Sequence, residues 1–362
     1  MALQRSALHS VIAAAGVAFQ ERHGWDLATV YSTAEEEYQA VTTAAGVHDT
    51  SYMGRLKAIG ADGLDLLNRL STNKVLDLEP GQGAPTILTT DRGRILDLIG
   101  VVNVDDYILL ITSPGAQQQV IDWLDKYTIM EDLVVEDITG ETTMLSVLGP
   151  GSQVAVESAA GILLDELPPY HSLTAEMAGH RVRIVNRPFG ELPSFDLSMD
   201  PDAAAGVWEH LSASGVPPVG AEAFEAVRLS YAVPAYGREL GESYNPLEAG
   251  LIGSIDFTKG CYIGQEVIAR LDTYQKIQRH LVRLEFSADA TVSEGDTLND
   301  DGREVGTVTS VSRIPAGQGL IGSPYLPQAS ASPGHVLDVA DPSGGRAAFT
   351  ALTQKVCPEQ SP

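Results

Sequence analysis

The stretch 257-FTKGCYIGQEVIAR-270 holds one thiol, Cys261, with Lys259 before it, Gln265, Glu266 and Arg270 after it, and Gly260 and Gly264 on either side. A thiol acts as a nucleophile or a metal ligand in its thiolate form, and a neighbouring cation favours that form. Glycines beside it let the backbone come close to a ligand and leave the thiol little steric cover. Three readings of Cys261 follow from residue type: a reactive thiol, a single ligand to a metal or cluster, or a small side chain filling a gap. Two carboxylates stand out by context. Asp97 interrupts the apolar run 95-ILDLIGVV-102, and Asp196 interrupts 195-FDL-197. A charge there needs a partner if it is buried, and strand alternation by itself reads both as outward-facing.

Other chemistries are disfavoured. Cys261 and Cys357 are the two cysteines, too few for a disulfide framework or a four-cysteine zinc or iron–sulfur site. The eight histidines show no pair with metal-ligand spacing on one helix face. The G-x-G of 147-SVLGPGSQ-154 lacks the third glycine and the downstream acid of a dinucleotide fingerprint, and reads as a strand-to-helix turn.

The elements that must position these residues are mixed. Helical patterns cover 35–46, 61–72 (with Leu64, Leu67 and Leu70 on one face), 115–127, about 151–160, 202–214 and 219–230. Strand patterns cover 52–60, 85–90, 95–103, 106–112, 133–139, 142–149 and 181–186. No regular βαβ rhythm links them, so α+β is expected over 1–278. After about residue 278 the helical period disappears. Strands at 280–286, 304–312, 319–326, 335–340 and 346–352, with an Asp301-Gly302 hairpin signal, predict a small antiparallel barrel or sandwich over 279–362.

A chain of 362 residues needs more than one core. Its formal net charge of −25 is spread along the sequence and repels phosphate backbones and anionic lipid, which argues against nucleic acid or a membrane as the main partner. The run 11-VIAAAGVAF-19 continues into charged 20-QERHGWD-26 without a convincing cleavage site, and reads as an amphipathic helix of a cytoplasmic protein. No apolar run reaches the roughly 20 residues of a membrane span.

Taken together, 244-YNPLEAGLIGSIDFTKGCYIGQEVIAR-270, 43-TAAGVHDTSYMGRLKAIGADGLDLLNRLSTNKVLDLEPGQG-83, 145-LSVLGPGS-152, 228-RLSYAVPAYGREL-240 and 304-EVGTVTSVSRIP-315 resemble the folate-binding superfamily of the glycine cleavage T-protein (aminomethyltransferase) and its relative YgfZ. The resemblance runs from about 16 to 352. Within it, 259-KGCYIGQE-266 is similar to the YgfZ hallmark K-G-C-[FY]-x-G-Q-E. The chain departs from T-proteins at Leu98, where they carry a second Asp, at Pro85, where Tyr is common, and at Thr112, where Asn is common.

The resemblance implies a three-domain cloverleaf of the T-protein type, with two intertwined α+β lobes and a C-terminal antiparallel β-barrel, and tetrahydrofolate as the bound cofactor. It assigns the pterin anchor to Asp196, with Glu191 as the alternative in 190-GELPSFD-196. It gives Arg228 to the anionic folate tail, Tyr236 and Lys259 to the binding region, and catalytic roles to Cys261 and Asp97. The YgfZ branch implies a tetrahydrofolate-binding protein that supports assembly or repair of iron–sulfur enzymes, with iron–sulfur proteins as partners. The alternative is a folate-dependent one-carbon transferase: an aminomethyltransferase, which alone implies a lipoyl carrier protein, or a demethylase of a small methylated compound.

Overall fold

In the computed structural model, Thr33 caps the helix Ala34–Thr43: its Oγ1 accepts the Glu36 N–H at 3.1 Å, and Glu35, Glu36 and Glu37 follow in the first turn. Capping and the helix dipole both favour this start. The structure describes residues 3–274, 276–286, 290–315, 319–332, 334–340 and 346–352, the last segment by its backbone alone. The chain divides into two compact units. The first comprises Met1–Arg69, Lys74–Thr86 and Leu98–Val227; the second comprises Leu70–Asn73, Ile87–Asp97 and Arg228–Pro362. Residues 228–278 fall in the second unit together with the C-terminal strands.

The first unit contains an antiparallel sheet whose strands run in the order Ser172–Met177, His180–Asn186, Ser194–Met199, Thr143–Leu148, Gly46–Asp49. Phe195, Leu197, Leu145 and Val147 enter a core with Val156, Trp208 and Leu211. By the two-residue period of a strand, Asp196, Ser146 and His48 lie on the opposite face, where register pairs Asp196 with Ser146 and Ser146 with His48. That face is buried as well: Asp196 is 0% exposed. The outward-facing reading of Asp196 is thus corrected. Alternation gives the face, but not what covers it.

A second sheet has the order Gly83–Thr89, Ile95–Asn103, Ile108–Thr112, Gly54–Ile59, Val134–Asp137. The chain passes between the two units within its first two strands. Asp97, on Ile95–Asn103, is 0% exposed, so its outward-facing reading is corrected too. The expected turn at 147–154 is present between strand Thr143–Leu148 and helix Ser152–Ala160. The expected N-terminal helix is short, His9–Ala14; Phe19–Arg22 instead pairs with Trp25–Ala28 as a hairpin.

In the second unit the strands form an antiparallel sheet ordered Arg279–Leu281, Leu320–Pro327, Arg283–Phe286, Arg346–Leu352, Val336–Ala340, Thr297–Asp300, Arg303–Arg313, and Leu320–Pro327 pairs additionally with Arg303–Arg313. Asp301 and Gly302 have φ of 49° and 80° and join Asp300 to its partner Arg303, which is the tight hairpin their types predict. Leu284, Leu298, Val308, Leu326 and Leu337 fill the core. The helix Gln265–Thr273 precedes this sheet. Among the described residues no helix is long and apolar enough to cross a membrane.

Candidate functional site

Asp97 follows a tight turn in the second unit. The Thr90 N–H donates to Arg94 O at 2.9 Å, and Gly93 N–H donates to Thr90 O at 2.9 Å. Tyr236, half-buried, is near enough to feel Asp97. Its hydroxyl is pushed above the ordinary tyrosine value first by burial, then by the negative charges of Asp97 and Glu242. The structure therefore brings together Asp97 and Tyr236 of the predicted set.

Arg228 lies at the end of helix Ala221–Ser230 with its side chain 7% exposed. One terminal nitrogen, Nη1, donates to Val233 O at 2.7 Å and to Glu239 Oε2 at 3.2 Å. Glu239, which the sequence reading did not single out, is a hub. Its Oε2 also accepts the Ala235 N–H at 2.9 Å, and its Oε1 accepts Thr309 and Ser310 hydroxyls, each at 2.6 Å. The Tyr325 hydroxyl donates to the Glu239 carbonyl at 2.7 Å. The charge of Arg228 is balanced inside the protein.

The 259–264 loop is held at three points. Lys259 Nζ donates to Ser71 O at 2.8 Å and to Asn73 O at 2.6 Å. Thr89 Oγ1 donates to Ile263 O at 2.6 Å. Gly264, with φ of 87°, lies so close to the 90–93 turn that an added Cβ would sit 2.5 Å from Thr90 O. Burial lowers the Lys259 ammonium to about 8, with Asp256 opposing. Lys259 was expected to promote the Cys261 thiolate; its ammonium is directed at backbone carbonyls of residues far away in sequence. Cys261 itself is exposed. Gly260 has nothing within 4 Å of an added Cβ. Cys357 lies outside the described residues.

In the first unit Asp196 is met by two donors. Arg187 Nε donates to Oδ2, and Ser146 Oγ donates to Oδ1 at 2.6 Å. Burial alone would weaken the Arg187 charge, but the Asp196 carboxylate outweighs it and the net direction is upward. Tyr170 is close to both groups; burial raises its hydroxyl, Arg187 opposes and Asp196 adds to the rise. Glu191, by contrast, is exposed in the turn where Phe189 N–H donates to Leu192 O at 2.9 Å. Beside Ser146 in register, buried His48 lies 2.7 Å from Val219 O through Nδ1, and Nε2 lies 3.2 Å from the Tyr52 hydroxyl. Burial lowers its pKa to about 4, against opposing contributions from Val219 and Asp49. The ring is therefore neutral, with Nδ1–H donating to Val219 O. Arg187, Ser146 and His48 escaped the sequence reading because strand register, not spacing along the chain, brings them together.

The model for the GCVT N-terminal domain matches residues 8–259 of this chain. The chain belongs to the GCVT family. The matched span includes Asp97, Asp196 and Arg228 and stops before Cys261. A chloroplastic protein of Arabidopsis thaliana that carries a provisional transferase name is 34% identical over 313 residues, covering 86% of this chain and 72% of that one. The aminomethyltransferase of Halothermothrix orenii is 28% identical, covering 93% and 95%. The solved glycine cleavage system aminomethyltransferase T of Bartonella henselae superposes with a TM-score of 0.85 at 21% identity, over 98% of both chains. That likeness gives this GCVT-family chain the α+β T-protein fold.

Proposed function

We propose that this GCVT-family protein binds a reduced folate and transfers a one-carbon unit on it. The observation that carries the reading is the donor count at Asp196. A carboxylate has about four lone-pair positions, and the described residues fill two of them, through Arg187 and Ser146. A pterin offers an amino group and a ring N–H side by side, which is the donor pair the remaining positions accept. Glu191, exposed, has no comparable support. Bound tetrahydrofolate would supply the nitrogen that carries the one-carbon unit. The resemblance gives the catalytic role to Asp97, which is buried on its strand near Tyr236. Relatives named aminomethyltransferase support transfer chemistry of this class. With an aminomethyl donor the partner would be a lipoyl carrier protein; Leu98, Pro85 and Thr112, where the chain departs from T-proteins, weigh against that donor.

A second reading rests on Cys261. An exposed thiol on a loop fastened by Lys259, Thr89 and Gly264 suits the YgfZ-like role of supporting iron–sulfur enzymes with folate bound.

One assay separates the two readings. Purified protein is incubated with tetrahydrofolate and either an aminomethylated lipoyl carrier, with methylenetetrahydrofolate and released ammonia followed, or small methylated amines, with methyltetrahydrofolate and the demethylated amine followed. Turnover that disappears in Asp97→Asn supports transfer. Folate binding without turnover from any donor, together with failure of Cys261→Ser to restore iron–sulfur enzyme activity in cells lacking the protein, supports the second reading.

A further inference from the structure

We propose that Arg187 is the positioning residue for Asp196: it holds the carboxylate ionised and fixes its direction, so that the oxygen positions not used by the protein face incoming N–H donors. This inference rests on the reading that Asp196 receives the pterin. Arg187 directly follows strand His180–Asn186, ahead of the turn at 189–192, and its N–H donates to Ser194 O at 3.0 Å. That backbone bond sets the stem of Arg187 alongside the strand Ser194–Met199 that carries Asp196. Nε then reaches Oδ2, while Ser146 on the next strand holds Oδ1 at 2.6 Å. Thr50 Oγ1, 2.9 Å from Ser146 Oγ, steadies the serine. The carboxylate is fixed from both sides by two different elements.

The chemical need is plain. A carboxylate with 0% exposure and no cation takes up a proton at ordinary pH. Once protonated it presents a hydroxyl to one of the two N–H groups it should accept, and pterin binding fails. The other ionisable groups facing the pair are Tyr170, Tyr52 and Arg55, with Asp49, Arg22, Glu225 and His48 around Tyr52. Tyr170 and Tyr52 are raised by burial, burial lowers Arg55 only to about 10, and burial brings His48 down to about 4. Asp137 also faces Arg55; because several groups surround the pair, the titration is read at the Asp196 carboxyl carbon itself.

The test uses Arg187→Gln, Arg187→Lys, Asp196→Asn and the double variant Arg187→Gln/Asp196→Asn in the full chain, with tetrahydrofolate as the probe. Two readouts are taken from pH 6 to 9: affinity by calorimetry, and the carbon-13 carboxyl shift of Asp196 without folate. In the wild type both stay flat. In Arg187→Gln the carboxyl shift acquires a titration in this window, and affinity falls about tenfold for each unit by which the Asp196 pKa exceeds the working pH. Arg187→Lys restores a flat carboxyl profile. The double variant is flat and weak, and keeps the fold readable should the single variant unfold. A folded Arg187→Gln whose carboxyl shift and affinity remain independent of pH overturns the proposal. A wild type that does not bind tetrahydrofolate overturns the folate reading and this inference with it. Wild-type affinity in Asp196→Asn removes the anchor and the positioning role together.

Discussion

Each unit buries an arginine–carboxylate pair, and the two pairs differ in how much of the carboxylate the protein uses. In the second unit Glu239 is met on both oxygens among the described residues: Ala235 N–H and Arg228 on Oε2, Ser310 on Oε1, and there too the Thr309 hydroxyl, whose one proton is shared with Ser323 O. Those fill the roughly four positions a carboxylate has. In the first unit Asp196 is as deeply buried but receives two donors among the described residues. A saturated buried carboxylate ties segments together, here residues 228–240 to the strand Arg303–Arg313. A half-saturated one keeps capacity in the place where an unmet need is costly. The comparison therefore assigns Glu239 to architecture and Asp196 to recognition, although both sit beside an arginine and both come from segments that resemble one family.

The largest expected effect breaks the architectural side. Glu239→Ala leaves Arg228 buried without its carboxylate and removes the acceptor for Thr309, Ser310 and Ala235, which should cost roughly 3–5 kcal/mol in urea unfolding. A loss below about 1 kcal/mol would show that Glu239 is not the hub its bonds describe.

Next in size is the loop that presents Cys261. Gly264→Ala forces a side chain into a left-handed backbone against Thr90 O and should cost roughly 1–3 kcal/mol. Gly260→Ala meets open space and should stay within about 0.5 kcal/mol. Thermal melting of the two variants side by side checks this. Equal losses would mean that the loop is not fastened at Gly264.

The smallest effect concerns His48 behind Ser146. Between pH 4 and 6.5 the unfolded chain binds a proton at this ring that the folded chain excludes. Its contribution to stability is therefore present above 6.5 and is lost as pH falls toward 4. The wild type should lose more stability across that window than His48→Gln does, measured by denaturant titration at each pH. Parallel curves would mean that the ring is already charged in the fold.

Much of this was readable in the sequence where the signal is local. The Asp301-Gly302 hairpin and the turn at 147–154 depend on a few adjacent residues, and they form as their types dictate. The oddity of Asp97 and Asp196 in apolar runs was also readable. Their burial was not, because alternation along a strand says nothing of the layer on its far side. Lys259 shows the same limit. Beside Cys261 in the chain it looks like a thiolate partner; in the fold its ammonium is directed at the carbonyls of Ser71 and Asn73. The strands Ser172–Met177 and Thr297–Asp300 and the helix Gln265–Thr273 escaped because short polar strands and a glycine N-cap carry weak sequence signals.

The central claim, that Asp196 recognises and Glu239 builds, is tested most directly by calorimetric titration of tetrahydrofolate into the wild type and Asp196→Asn at pH 7. The account predicts measurable wild-type binding and an affinity at least about tenfold weaker in the folded variant, as expected when a charge-assisted pair worth roughly 1.5–3 kcal/mol per bond is removed. Equal affinities in two folded proteins would contradict it.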